Sequence, residues 1–289
     1  MQMPRTRLLV LFTTALCLLP GAALAQDKAT PAPATLDGAT THIYKTVGNV
    51  KLPLHMFTPT GHKATDKRAA IVFFFGGGWT NGTPAQFQEH GKYLASRGMI
   101  AISVEYRVKS RHNVTPVECV TDARSAMRWV RGHAREHGID PNRIAAGGGS
   151  AGGHLAATLA TVNGFDESGE DTKISVRPAA LVLFNPALDL VAFGRDFGLG
   201  DKTAAISPLQ QLRGKQPPTI IFHGTADTTV PIKQARDYCA AMKKEGNTCE
   251  VKEYEGRNHG FFNHGRGNGQ DYKSTVQAMD AFLVALGYL

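Results

Sequence analysis

The chain has 289 residues, 42% of them hydrophobic and 19% charged, which is enough apolar material for the core of one large domain or two small ones. Its formal net charge is +8 at pH 7, but Lys and Arg are scattered, whereas nucleic-acid-binding proteins usually cluster their positive charge in a stripe. We therefore expect no nucleic-acid partner and interpret the charge as a diffuse positive surface that favours contact with acidic polymers.

The first 25 residues have the pattern of a secretory signal peptide. Arg5 and Arg7 precede an apolar run from Leu8 to Leu19, and Ala23-Leu24-Ala25 forms a small-x-small cleavage site. The alternative, an uncleaved anchor, is disfavoured because a membrane span needs about 20 apolar residues. We expect an exported protein, periplasmic or extracellular, without a stable membrane anchor; its oligomeric state is left open.

Residues 26–40 are rich in Ala, Thr and Pro and are predicted to be a flexible lead-in. In the domain at 41–289, apolar runs typical of strands alternate with helical stretches. The predicted strands cover residues 41–47, 51–57, 69–75, 99–105, 143–146, 179–184, 219–222 and 250–254. The predicted helices cover residues 84–97, 116–137, 151–162, 232–245 and 271–286.

This alternation predicts the α/β class, with one mostly parallel sheet of about eight strands and helices on both faces. The first two strands, joined by Gly48-Asn49, are predicted to form an antiparallel entry hairpin. Residues 187–213 show little periodicity, so we predict an insertion over one edge of the sheet and a candidate lid.

Three cysteines remain after the signal peptide, and an exported protein meets an oxidising compartment. Cys239 lies in a predicted helix and Cys249 opens the following strand, so the two are bridged if their Cα separation allows it. Cys119 would then be a buried free thiol. No CxxC pair or Cys/His cluster indicates a metal site.

The segment Gly148-Gly149-Ser150-Ala151-Gly152 matches Gly-x-Ser-x-Gly between a short strand and a helix of small residues. A serine on such a sharp turn has strained backbone geometry, and side chains two positions away on either side would clash. The helix that starts at Ala151 directs its partial positive charge at the reacting centre. Ser150 is therefore the predicted nucleophile, with a purely structural turn as the alternative.

A second glycine segment, Gly76-Gly77-Gly78, directly follows an early buried strand. Acyl transfer needs backbone N–H donors aimed at the developing oxyanion, and glycines let the chain approach closely. Gly77, Gly78 and Ala151 are the predicted donors. The alternative, a phosphate-binding loop, is disfavoured because neither a terminal Gly-Lys-Ser/Thr nor Gly-x-Gly-x-x-Gly is present.

A serine nucleophile also needs a histidine base and a carboxylate that orients it. After Ser150, Asp227 lies in the loop beyond one buried strand and His259 in the loop beyond the next. Both loops leave carboxyl ends of strands, where open α/β sheets bind ligands. The order Ser, Asp, His therefore predicts a catalytic triad.

Other residues compete for these roles or flank them. Asp189 could orient the base in place of Asp227, and His264 could replace His259. His223 and His154 are interpreted as packed structural histidines, with His154 also a candidate support of the site. Trp79 is either a wall of the substrate pocket or a core residue. The strand end at 105–107 carries charges that we expect to brace loops.

With these three motifs in this order, the sequence resembles the α/β-hydrolase family from about Thr41 to the C-terminus. Within it, the chain is similar to the esterase/lipase branch that includes hormone-sensitive-lipase-like and carbohydrate esterases. The resemblance implies Ser150 as nucleophile, Asp227 as acid and His259 as base, with no cofactor. Many relatives have a histidine before the three glycines that braces the loop; this chain has Phe75, which leaves open how its loop is held and which N–H groups donate.

The resemblance implies a serine carboxylesterase that hydrolyses small acyl esters through an acyl-enzyme. Carbohydrate-esterase relatives favour acetyl or feruloyl esters of plant polysaccharides as substrates. Two alternatives stay open: an amide hydrolase of the kynurenine-formamidase or peptidase type, and a non-catalytic binding protein with this fold. The last is disfavoured because such proteins typically lose a triad member, whereas this chain keeps all three.

Overall fold

The computed structural model describes residues 31–194 and 197–289. The predicted signal peptide lies outside these residues. The end of the predicted lead-in is packed on the domain, because Leu36 is buried in the core. None of the helices within the two described ranges has the length and apolar character to cross a membrane.

Eight strands form one sheet in the order β1-β2-β4-β3-β5-β6-β7-β8, which confirms the predicted α/β class. The antiparallel hairpin of β1 and β2 joins β4, and every pair from β4 to β8 is parallel. The strands are β1 (Thr40–Val47), β2 (Val50–Phe57), β3 (Arg68–Phe74), β4 (Ile100–Val104), β5 (Ile139–Gly149), β6 (Leu181–Phe184), β7 (Thr219–Gly224) and β8 (Cys249–Tyr254).

Eight α-helices accompany these strands in the described chain. They are α1 (Gln88–Ser96), α2 (Lys109–His112), α3 (Pro116–Gly132), α4 (Ala151–Thr161), α5 (Lys202–Ala205), α6 (Pro208–Gln211), α7 (Lys233–Lys244) and α8 (Gln270–Ala285). Two short 3₁₀ turns occur at Pro84–Phe87 and Val191–Phe193. A capping box begins α3, where Thr115 and Glu118 satisfy each other's backbone N–H groups.

Both faces of the sheet are buried, as its apolar strands predict. Alternate residues of β3 face opposite ways: Val72 and Phe74 belong to one apolar cluster, with α3 and α4, while Ile71 and Phe73 belong to the other. The second cluster includes residues of α1 and α8. The loops that leave the carboxyl ends of the strands therefore rest on a sheet supported from both sides.

Two predicted helices are shorter than the sequence pattern suggested. The predicted helix at 116–137 ends at Gly132, a poor helix former, and the His133 ring then bonds the Trp129 carbonyl. The predicted helix at 84–97 begins instead as a 3₁₀ turn. There the Ser103 hydroxyl donates to the Pro84 carbonyl at 2.6 Å. In a continuous α-helix that carbonyl would instead accept the N–H group four residues later.

Cys239 in the middle of α7 and Cys249 at the start of β8 form a disulfide with a Cα–Cα distance of 5.2 Å. Cys119 is a buried free thiol whose Sγ lies 3.1 Å from the Arg107 carbonyl oxygen. The insertion at 187–213 contains one 3₁₀ turn and the short helices α5 and α6. It packs on the first core cluster through the buried side chains of Leu188, Leu190, Leu199, Ile206 and Leu212.

Candidate active site

Ser150 lies on the turn between β5 and α4 with φ 53° and ψ −118°, the strained conformation predicted for it. The flanking glycines are required by close packing. A Cβ on Gly152 would lie 1.9 Å from the Phe74 carbonyl oxygen, and one on Gly148 would lie 2.4 Å from that of Gly152. The turn therefore holds Ser150 in one fixed position beyond the end of β5.

The structure brings Ser150, His259 and Asp227 together although they are distant in sequence. His259 Nε2 lies 2.9 Å from Ser150 Oγ, and His259 Nδ1 lies 2.7 Å from Asp227 Oδ2. Since an ionised carboxylate only accepts hydrogen bonds, Nδ1 carries the proton and Nε2 is left to accept one from the serine. The arrangement is that of a nucleophile, a base and an orienting acid.

Asp227 is held ionised by donors from several directions. Its Oδ1 accepts the N–H groups of Thr229 and Val230, both at 2.9 Å, and its Oδ2 lies 3.3 Å from His223 Nε2. Burial alone would raise the pKa of this carboxyl, but the hydrogen bonds from His223, His259 and Val230 outweigh it and hold the pKa well below its usual range. The carboxylate is therefore available to stabilise a protonated His259.

The backbone N–H groups of Gly77, Gly78 and Ala151 have no acceptor among the hydrogen bonds of the described residues. A Cβ on Gly76 would lie 3.2 Å from Ser150 Cβ, so the glycine loop packs directly against the nucleophile turn. Gly77 has φ 129°, and a Cβ there would lie 2.2 Å from the Asn81 carbonyl oxygen. Only glycine fits the backbone conformation at position 77. The loop therefore brings N–H groups that have no acceptor close to Ser150.

The glycine loop is braced on two sides, by Tyr106 and by Gln86. The Phe75 and Tyr106 rings stack at 4.1 Å, and the Tyr106 hydroxyl donates to the Phe75 carbonyl at 2.7 Å. On the other side, Gln86 Oε1 accepts the Gly76 N–H at 2.6 Å, and Gln86 Nε2 donates to Asn263 Oδ1 at 2.9 Å. A tyrosine hydroxyl and an amide thus hold the glycine loop of this chain.

Asn263 extends this bracing to the loop of the base. Its Nδ2 donates to the Gly260 carbonyl at 2.9 Å, while the Gly260 N–H donates to Asn185 Oδ1 at 2.9 Å. Asn185 is fully buried with φ 35°, and its Nδ2 lies 3.5 Å from His259 Nε2. A polar residue directly after the apolar strand β6 is the only signal that could have identified Asn185 in the sequence.

The competing residues lie elsewhere. Asp189 bonds the backbone N–H groups of Val191 and Ala192 inside the insertion, and His264 packs edge-on against Tyr272. His223 donates to the Val230 carbonyl at 2.8 Å and contacts the acid, not the serine. Within the described chain, the geometry therefore favours Asp227 and His259 over both competitors.

His154 and Trp79 form a buried pair at the edge of the site. Trp79 Nε1 donates to His154 Nδ1 at 3.2 Å, and His154 Nε2 donates to the Ile206 carbonyl at 2.7 Å. Burial lowers the pKa of His154 to about 4, although its bond to Ile206 opposes the shift. His154 is therefore uncharged, and its two hydrogen bonds connect Trp79, next to the glycine loop, with Ile206 in the insertion.

A cavity of about 360 Å³ opens over Ser150 and His259. One wall is aromatic: Trp79 and Phe193 line the cavity and both pack edge-on against Phe197. The polar side chains of Gln86, Asn263 and Arg266 line the rest of the cavity, together with the ring of Phe262. A second cavity of about 460 Å³ shares Gly78 and Trp79 with the first. Trp79 therefore lines the pocket and is also a buried member of the first core cluster.

The BD-FAE family model matches residues 54–242, which is more than half of the chain. The chain therefore belongs to the BD-FAE family, in the esterase/lipase branch of the α/β-hydrolases.

Solved structures support the same assignment. Thermogutta terrifontis esterase 2, phosphorylated by paraoxon, is 50% identical with a TM-score of 0.84, over 88% of this chain and 96% of that one. The same esterase with propionate bound is 49% identical, with the same TM-score and coverage.

Among curated proteins, "Probable carboxylic ester hydrolase LipM" of Mycobacterium tuberculosis is 31% identical over 58% of this chain and 43% of its own length. "Probable isoprenylcysteine alpha-carbonyl methylesterase ICMEL1" of Arabidopsis thaliana is 28% identical over 68% of this chain and 46% of its own length. The chain thus spans about half the length of the curated relatives it matches.

Proposed function

We propose that this protein is an exported serine carboxylesterase that hydrolyses small acyl esters through an acyl-enzyme. The observation that carries the proposal is the continuous chain of contacts from Asp227 through His259 to Ser150, beside three unused backbone donors. Each part supplies one requirement of acyl transfer: a nucleophile, a base, an orienting carboxylate and a place for negative charge.

In the first half-reaction, His259 Nε2 takes the hydroxyl proton as Ser150 Oγ attacks the ester carbonyl carbon. The carbonyl oxygen becomes an oxyanion that the N–H groups of Gly77, Gly78 and Ala151 bind, while Asp227 stabilises the imidazolium. His259 then gives its proton to the leaving oxygen as the ester C–O bond breaks. The alcohol departs and the acyl group stays on Ser150.

In the second half-reaction, water takes the place of the alcohol. His259 accepts a proton from the water as its oxygen attacks the acyl-enzyme, and the same three donors bind the second oxyanion. Return of the proton to Ser150 Oγ breaks the acyl–serine bond and releases the carboxylic acid.

The size of the cavity supports short acyl groups, since 360 Å³ is at the small end of ligand pockets. The similar Thermogutta esterase has been solved with propionate and with butyrate bound, which supports the same preference. We extend the proposal to acetyl esters, including those on plant polysaccharides, with feruloyl esters as the bulkier alternative. The insertion at 187–213 contributes Ala187 and Phe193 to the cavity and is proposed as its lid.

Export is supported by the pattern of the first 25 residues and by the Cys239–Cys249 disulfide, since such bonds persist in oxidising compartments. The mass of the purified secreted protein should correspond to a chain that begins at Gln26. Recovery of the intact chain in the membrane fraction would argue instead for an uncleaved anchor.

The decisive test compares the wild type with Ser150→Ala, using Ser168→Ala as a control that removes a serine hydroxyl far from the pocket. Wild type and control should hydrolyse p-nitrophenyl acetate and be inactivated by one equivalent of paraoxon. Ser150→Ala should do neither and keep the same unfolding midpoint. Turnover by a folded Ser150→Ala protein would refute the proposal.

A substrate panel then defines the ester. Wild-type kcat/KM should be highest for acetyl to butyryl esters and lower for longer chains, because the volume of the cavity is small. The panel includes acetylated xylan, methyl ferulate and a formanilide; faster cleavage of the formanilide than of every ester would favour the amide-hydrolase alternative.

A further inference from the structure

Arg266 contributes a full positive charge to the wall of the cavity over Ser150. It lies in the loop between β8 and α8, and its Nη1 donates to the carbonyl of His259 at 3.1 Å. The backbone on both sides is tied down: the Arg266 N–H donates to the Asn263 carbonyl, and its own carbonyl accepts the Gly269 N–H. The guanidinium is therefore positioned beside the base.

No carboxylate among the described residues pairs with this guanidinium. Arg257, in the same loop, pairs with Asp271 at 2.8 Å, and the ion pairs found for the described chain include none with Arg266. The described residues lining the cavity include no Asp or Glu either, since Asp227 lies buried behind His259. The single bond to His259 leaves most of the five guanidinium N–H donors for another partner.

We propose that Arg266 recognises an anionic group on the substrate, so that the enzyme prefers esters that also carry a carboxylate. This rests on the proposed esterase function and adds the class of ester. Guanidinium donors match a carboxylate in a bidentate pair, which is stronger than a bond between neutral groups.

The carboxylate can belong to the acyl part or to the alcohol part of the ester, and two matched substrate pairs distinguish these. The first pair is mono-p-nitrophenyl glutarate and its methyl ester, which differ in a charge on the acyl side. The second pair is 4-acetoxybenzoate and its methyl ester, which differ in a charge on the alcohol side. In each pair the reacting ester bond is the same.

The measured quantity is the ratio of kcat/KM for the anionic substrate to that for its neutral partner, in the wild type and in Arg266→Gln. Because the ratio is compared between two proteins, differences in intrinsic reactivity between the substrates cancel. We expect the wild-type ratio to exceed that of Arg266→Gln by about tenfold in at least one pair. The difference should shrink as salt is raised, since the guanidinium is solvent-accessible.

Arg135→Gln is the matched control, because it removes the same charge from an exposed position just before β5, at the opposite end of the strands from Ser150. Its ratios should equal those of the wild type. Arg266→Lys should keep part of the preference, since the charge remains but the bidentate geometry does not.

Equal ratios in the wild type and Arg266→Gln for both pairs would overturn the proposal, as would an equal loss in the Arg135→Gln control. A loss of activity in Arg266→Gln that is the same for both members of each pair would also overturn it, because Arg266 would then only position His259. Failure of the esterase proposal itself gives a different result, because the wild type would then hydrolyse neither the anionic nor the neutral esters.

Discussion

Asp227 and Asp122 are both buried carboxylates, with 6% and 0% of their surface exposed, but their surroundings are opposite. Asp122 meets permanent cations: Lys45 Nζ at 2.8 Å and two guanidinium nitrogens of Arg107 at 2.8 Å each. Asp227 meets backbone N–H groups and two histidines. One carboxylate is neutralised by fixed charge, whereas the other keeps its negative charge for a group that becomes positive only during reaction.

This difference separates a structural carboxylate from a catalytic one. A buried ion pair neutralises both partners but cannot respond to a proton that moves nearby, because its charge is already balanced. A carboxylate held by neutral dipoles stays ionised and still attracts an imidazolium. Mutation of each carboxylate should therefore separate the two roles.

The largest effect is expected for Asp227→Asn. The amide matches the carboxylate in size but donates to His259 Nδ1, so that Nε2 would carry the proton and could not accept one from Ser150. We expect kcat for p-nitrophenyl acetate to fall about 10³- to 10⁴-fold, with little change in the thermal unfolding midpoint. A loss below tenfold would contradict the role given to Asp227.

Asp122→Asn should produce the reverse pattern. Removing this charge leaves Arg107 without its carboxylate partner and leaves Lys45 with Glu167 alone, at 2.6 Å, so we expect about 3 kcal/mol less free energy of unfolding in urea. Activity per folded molecule should stay within about twofold of the wild type, because Asp122 touches no cavity residue. If kcat falls as far as in Asp227→Asn while stability is unchanged, the comparison fails.

The pH dependence of kcat/KM sharpens the comparison further. Activity should be lower at pH 5 than at pH 8, since a protonated His259 cannot accept the Ser150 proton. The pKa of Asp227 is held well below its usual range, so its carboxylate stays ionised between pH 5 and 8. Protonation of Asp227 therefore does not contribute to the loss of activity at low pH. A flat profile would count against His259 as the base.

The smallest effect is expected for Gln86→Ala, which removes a neutral brace instead of a charged group. Without Gln86 Oε1 the Gly76 N–H loses its acceptor, and the donors of Gly77 and Gly78 are less well fixed. We expect kcat to fall about tenfold with little change in KM, because the loss is felt at the oxyanion.

Gln88→Ala is the control for this effect, since it deletes the same amide two residues later, where Gln88 bonds Glu89 on α1. The control should behave as the wild type. An equal change in both variants would trace the effect to the local helix and not to the glycine loop.

The sequence was sufficient for the main architecture and for the residues now found in contact at the site. The alternation of apolar runs predicted the eight-stranded α/β sheet, and the order of Ser150, Asp227 and His259 predicted which side chains meet. Both predictions succeed because the spacing of glycines and the ends of apolar strands can be read from short stretches of sequence, and each implies a definite local geometry.

The braces were not predicted because they depend on distant contacts between common residue types. Gln86 and Asn263 are 177 positions apart and bond through ordinary amide groups, which leave no local pattern. The charges near the end of β4 brace loops as expected, since Glu105 pairs with Arg111, which donates to the Gly82 carbonyl. The bond from the Tyr106 hydroxyl to the Phe75 carbonyl was not predicted. Helix ends at Gly132 and Phe87 likewise depend on side-chain bonds that the pattern does not contain.

The bond between Gln86 and Asn263 also divides the long β8–α8 loop into two parts with different tolerance for change. The part from His259 to Asn263 is fixed at both ends by Asn185 and Gln86, so its proton-transfer geometry is anchored independently of the rest of the loop. The part beyond Asn263 contains Gly265, Gly267 and Gly269, whose left-handed backbone would strain any other residue although a Cβ would have room. Directed evolution of substrate preference can therefore concentrate on the other positions of this part, His264, Arg266 and Asn268, where a change of side chain leaves the Asn263 anchor in place.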